Sequence, residues 1–137
     1  MKRKICLILA VIFTIACFSQ NLVMASEIMP RYNNVLFTTT SFNITDAGEA
    51  RVAVNYEGLD SNLIVATITI KIKKRNLLVF WKDVVEDTNI VYGSSYINTY
   101  VYQLEKTGTY RCTVEYVLSG AGGADDVVTF EDTKTYG

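Results

Sequence analysis

The sequence predicts an all-β fold, two antiparallel sheets packed face to face from seven or eight strands. Three observations carry this. Apolar and polar residues alternate with a period of two along most of the chain, as half-buried strands require. Turn signals recur at short, regular spacing, as in sandwiches and barrels. No segment sustains the apolar period of a helix.

The elements follow in order. A short strand near Val35–Thr40 opens the domain. Phe42-Asn43-Ile44-Thr45 leads into a turn at Asp46-Ala47-Gly48, with glycine where a positive φ is wanted. Ala50, Val52, Val54 and Tyr56 share one parity against Arg51, Asn55 and Glu57, which makes a half-buried strand. Glu57–Asn62 reads as a loop. In the clearest strand, Ala66, Ile68, Ile70 and Ile72 alternate with Thr67, Thr69, Lys71 and Lys73, and β-branched residues dominate. Arg75-Asn76 is expected to turn the chain. Leu77–Trp81, a continuous apolar run, then begins the partner strand, which ends at Lys82-Asp83. Glu86–Asn89 reads as a polar break. Ser94–Leu104 is a tyrosine-rich strand with Tyr96, Tyr100, Tyr102 and Leu104 on one parity. After a turn at Lys106-Thr107-Gly108, Tyr110, Cys112, Val114 and Tyr116 face one way, and Arg111, Thr113 and Glu115 the other. Ser119–Gly123 makes a hairpin loop. The last strand spans Asp126–Tyr136, with Val128 and Phe130 as its apolar points.

The N-terminus has the order of a signal peptide. Lys2, Arg3 and Lys4 precede an apolar run from Ile5 to Phe18, and Val23-Met24-Ala25 places a small residue, Ala25, at a cut before Ser26 with Val23 at −3. The run is about 14 residues, short of the roughly 20 that span a bilayer. Lipidation of Cys17 is the rival, although Thr14 stands where such a site prefers an aliphatic residue. The expected organisation is a signal peptide over 1–25 and one β-domain over 26–137, exported and without stable membrane insertion after cleavage. Cys6 and Cys17 leave with the leader, so Cys112 remains alone and no internal disulfide can form.

Charge and composition exclude whole classes of function. The leader takes three of the 13 basic residues and none of the 14 acidic ones, which leaves 10 against 14. A nucleic-acid binder would show the opposite balance. There is no histidine, which removes Ser-His-Asp and Cys-His catalysis, His-ligated zinc and an imidazole switch. Asp125-Asp126, Glu131-Asp132 and the trio Asp83, Glu86 and Asp87 offer oxygens, but without calcium-loop spacing they read as solvated loop carboxylates. Ser119–Gly123 lacks the lysine and the helix of a phosphate loop. Asn43-Ile44-Thr45 is a formal glycosylation triplet that matters only in a eukaryotic secretory route. Lys71, Lys73, Lys74 and Arg75 form a basic stripe, suited to anionic wall polymer or lipid headgroups, or to discouraging edge pairing. Nine tyrosines and Trp81 suit sugar stacking, or simply strands. No catalytic residue, metal or cofactor is expected.

Thr107-Gly108-Thr109-Tyr110-Arg111-Cys112-Thr113-Val114 resembles strand F of an immunoglobulin-like domain, where a glycine precedes the tyrosine by two and a cysteine follows by two. The resemblance implies an Ig-like sandwich and a tyrosine corner, the Tyr110 hydroxyl bonding to upstream backbone. No cysteine stands on the Ala50–Tyr56 strand to make the usual inter-sheet disulfide, and Trp81 falls late for the usual core tryptophan. The leader, Met29-Pro30-Arg31-Tyr32, Gly48…Ala50-Arg51-Val52, Ile68–Lys74, Phe80-Trp81-Lys82 and Gly108–Arg111 together resemble small secreted Ig-like proteins of Gram-positive bacteria. That resemblance implies no activity for any residue.

The expected function is an extracellular, non-enzymatic binding module for a protein or cell-wall glycan. A small secreted effector, antimicrobial or toxin-like, is the rival, and a structural surface protein is a third reading. Contact is expected on the hairpin from Ile68 to Val85. There Leu77, Val79 and Trp81 would take one face of the strand, and Leu78 and Phe80 the other. Both faces cannot meet one core, so one is open or is covered by a segment such as 27–40. Lys73, Lys74 and Arg75 would steer an acidic partner. The candidate patch is therefore Lys73, Lys74, Arg75, Leu77, Leu78, Val79, Phe80 and Trp81. Cys112 shares parity with Tyr110 and Val114 and is expected as a buried, unreactive thiol, although an odd cysteine also invites an intermolecular disulfide.

Overall fold

Along Ile64–Ile72 every second side chain is shut away from solvent, while those between are not. The same alternation governs the strands opposite and beside it, and it builds the core. A computed structural model of the protein describes residues 31–59 and 63–137. The expected signal peptide, its cleavage site and residues 60–62 of the expected loop lie outside the described residues.

Among the described residues seven strands are formed: β1 (Val35–Ile44), β2 (Glu49–Gly58), β3 (Ile64–Asn76), β4 (Phe80–Gly93), β5 (Ser95–Gln103), β6 (Gly108–Ser119) and β7 (Asp126–Tyr136). They make a three-stranded sheet in the order β1-β2-β5 and a four-stranded sheet in the order β4-β3-β6-β7. Every neighbouring pair is antiparallel. The all-β sandwich expected from the alternation is the fold.

The core is filled by Val52, Val54 and Tyr56 from β2, Ile64, Ile68, Ile70 and Ile72 from β3, and Cys112, Val114, Tyr116 and Leu118 from β6. Each is at most 1% exposed. A fully buried side chain of this size stabilises by about 1.5–3 kcal/mol, so the domain holds without a disulfide. Tyrosine hydroxyls brace the layers: Tyr56 donates to the Gly93 carbonyl at 3.1 Å, Tyr102 on β5 donates to Asp87 on β4 at 2.7 Å, and the Tyr116 hydroxyl on β6 bonds with that of Thr40 on β1. The Tyr110 hydroxyl donates to the Lys106 carbonyl, the geometry of a tyrosine corner. Gly48 closes the β1–β2 turn at φ +80°, with its N–H bonded to Thr45 O at 2.9 Å.

Four local expectations are corrected. The opening strand runs on to Ile44, because Phe42 is buried and the ladder to β2 continues through Ile44 opposite Ala50. The chain does not turn at Arg75-Asn76: both lie in β3, opposite Trp81 and Phe80, and the turn is Leu77–Val79. Glu86–Asn89 is no break, since β4 runs unbroken through it and pairs with β3. Asp126 is not a solvated loop carboxylate. It is 5% exposed and accepts from the backbone N–H groups of Asn33, Asn34 and Val35 at 2.8, 2.7 and 3.3 Å. Buried Asn34 donates to Leu118 O and Ala124 O and accepts from Gly122 N, which ties the β6–β7 loop to the start of β1. Gly122 fits this knot because a Cβ there would lie 1.9 Å from the Asn33 carbonyl oxygen.

Candidate functional site

β3 and β4 are the longest strands, and their hairpin ends in three apolar residues. Leu77, Leu78, Val79 and Phe80 are 85%, 90%, 75% and 70% exposed. Leu77 and Leu78 both have positive φ, 45° and 50°. That region disfavours a bulky side chain, and each such residue costs about 1–3 kcal/mol. Both features run against folding: the tip keeps its apolar side chains in water and strains its backbone to do so.

The rows below the tip are fixed by register. Asn76 lies opposite Phe80, Arg75 opposite Trp81, Lys74 opposite Lys82 and Lys73 opposite Asp83. A bulge follows, since Ile72 pairs with Val85 while Lys73 pairs with Asp83, leaving Val84 extra on β4. On the outer face, half-buried Trp81 lies near two guanidinium groups. The Arg75 Cζ is 5.4 Å and the Arg111 Cζ 4.2 Å from its ring centre, within cation–π range. Arg111 comes from β6, so this cluster fastens the hairpin base to the sheet. Lys73 pairs with Asp83 at 3.5 Å. Lys74 has the opposite parity and lies 6.0 Å from the Tyr110 ring centre.

An open cleft of about 430 Å³ sits below the tip on that side, lined among others by Lys74, Lys82, Lys106, Glu105 and Tyr110. Among the described residues, Lys74, Arg75, Lys82 and Lys106 form no ion pair. Sequence reasoning missed Lys82, Lys106 and Arg111. Lys82 could have been found by folding the hairpin about Leu77–Val79, whereas the other two arrive from strands remote in sequence.

The structure thus brings Lys73, Lys74, Arg75, Leu77, Leu78, Val79, Phe80 and Trp81 to one end of one hairpin. The two-faced strand expected for Leu77–Trp81 does not exist, because Leu77–Val79 form the turn and are exposed all round. Of the segment expected to cover them, residues 35–40 belong to β1, which pairs with β2 in the other sheet; residues 27–30 lie outside the described residues.

Glu86 pairs with Lys71 at 3.2 Å, and Asp87 turns inward to Tyr102. Among the described residues, no three His, Cys, Asp or Glu side chains converge as a metal site. Cys112 is fully buried, and burial, with a smaller contribution from Asp132, pushes its thiol up to about 12. No helix among the described residues is long and apolar enough to cross a membrane. No protein-family model matches the chain, and no curated protein matches it.

Proposed function

We propose that this protein is an exported, non-enzymatic binding module that makes contact through the tip of the β3–β4 hairpin. Export is supported by the basic, apolar and small-residue order of the N-terminus. The observation that carries the contact surface is the four-residue apolar tip, exposed on a strained turn. Exposed contiguous apolar surface marks interaction sites. Strain in a turn that more permissive residues would relieve points the same way, because contact would reward the two leucines where folding does not. Trp81 and Arg75 beneath it are residue types typical of contact anchors.

The test is sedimentation with a purified bacterial cell-envelope preparation. The native domain is expected to pellet with the envelope, and the Leu78→Asp/Phe80→Asp chain to stay in solution with an unchanged circular dichroism spectrum. Equal pelleting of the two chains, or none by the native one, would reject the tip as the contact surface.

A further inference from the structure

We propose that the surface this hairpin meets is an anionic lipid bilayer, which the tip enters as far as the boundary between headgroups and acyl chains. The inference rests on the reading of the tip as the contact surface and names its partner. Three features of the hairpin favour a bilayer over a protein.

The first is shape. The tip is convex, and Leu77, Leu78, Val79 and Phe80 are all at least 70% exposed. It offers no groove and no single face. A protein pocket would have to enclose it on every side, whereas a fluid apolar phase surrounds it without a matching shape.

The second is the order of chemistry along the hairpin. The apolar loop comes first, then Trp81 opposite Arg75, then Lys74 opposite Lys82. A membrane presents the matching layers in depth: acyl chains, an interfacial zone that favours tryptophan, then phosphates. The spacing agrees. At about 3.3 Å per residue, the Phe80 row lies roughly 7 Å above the Lys74–Lys82 row, and the loop extends further. Interfacial apolar groups sit about 5–10 Å into the headgroup–acyl boundary.

The third is charge. Lys74, Lys82 and Lys106 line one cleft beneath the tip, and Arg75 flanks it from the outer face. The carboxylates that line the cleft are Asp83, already held by Lys73, and Glu105; Glu131, beyond the outer face, is paired with Arg111. The domain as a whole is acidic, so this basic collar would turn the hairpin end toward an anionic surface. Seating four side chains this way is peripheral and reversible, unlike a transmembrane anchor.

The test is co-sedimentation with phosphatidylcholine vesicles, with and without phosphatidylglycerol. The native domain is expected to bind the mixed vesicles at least about tenfold more strongly than the neutral ones, and to release as salt screens the collar. Leu77→Ser/Leu78→Ser is expected to lose at least about tenfold in partitioning, since even one leucine side chain contributes that much on transfer. Lys82→Gln/Lys106→Gln, both at exposed positions, is expected to abolish the preference for phosphatidylglycerol. If the native domain ignores both vesicles while still binding envelope through its tip, the lipid inference is overturned, and the tip stands as a contact for protein or wall polymer. If the native domain binds vesicles and the serine variant binds them equally well, the tip does not enter lipid and the lipid inference is overturned. If the native domain binds vesicles and envelope not at all, both readings are rejected.

Discussion

Leu77 and Leu78 stand where a hairpin designed for stability alone would carry asparagine and glycine. Their positive φ angles predict a trade between stability and contact. Leu77→Asn/Leu78→Gly should raise the unfolding free energy by about 1–3 kcal/mol, read by urea denaturation, while weakening contact. A destabilised variant would show that the turn is not strained. Cys112 makes a second prediction at this scale. With its thiol at about 12 rather than the ordinary 9.0, thiolate at pH 8 is about a thousandfold scarcer than in an unfolded chain. Native labelling by a disulfide reagent should therefore be slow and accelerate on denaturation; fast native labelling or a reducible dimer would refute it. The burial of Cys112 was legible, because its parity with Tyr110 and Val114 settles its face. The role of Asp126 was not. Its partners, the backbone N–H groups of Asn33 to Val35, lie more than 90 residues away, and nothing in the local sequence announces them.

The hairpin shows where local reading fails. Arg75-Asn76 has turn chemistry and Leu77-Leu78 has none, so the turn was expected one step too early. Pairing overrode that propensity. Placing Arg75 opposite Trp81 brings a guanidinium to the indole, and Asn76 opposite Phe80 completes the ladder, which pushes the turn onto three apolar residues. That part of this run would stay exposed was legible, because an uninterrupted apolar run from Leu77 to Trp81 cannot be satisfied by a two-layer core. Glu86–Asn89 misled for the opposite reason. β4 is an edge strand of its sheet, and an edge tolerates polar side chains that also discourage pairing with another chain. One of them, Asp87, links the two sheets through Tyr102. Removing that hydroxyl with Tyr102→Phe leaves Asp87 short of a donor and should cost about 1–2 kcal/mol by thermal or chemical denaturation. An unchanged midpoint would mean that water serves Asp87 equally well.

At the scale of the molecule, the β2, β3 and β6 core was readable from period-two patterning, since each of these strands buries one parity. The division of strands between sheets was not, because it depends on how β4 and β5 meet across the sandwich. The fold also sets a pH limit. Folded Cys112 and Tyr100 each hold their protons to about 12, raised chiefly by burial, while the unfolded groups release theirs from about 9.0 and 10.0. Their preference for the folded state is therefore complete below about pH 9 and is lost as pH rises toward 12. The melting temperature should be insensitive to these groups below pH 9 and fall above it; a rising midpoint over that range would contradict the assignment. Contact through the hairpin requires its tip to leave water, and the chain carries its own reporter. Trp81 is the only tryptophan in the sequence and lies one row below the tip. The most direct measurement is its fluorescence during titration with vesicles containing phosphatidylglycerol. A tip seated in the bilayer gives a blue-shifted emission and protection from acrylamide quenching, both absent in Leu77→Ser/Leu78→Ser. Emission and quenching that stay unchanged at saturating lipid would contradict that seating.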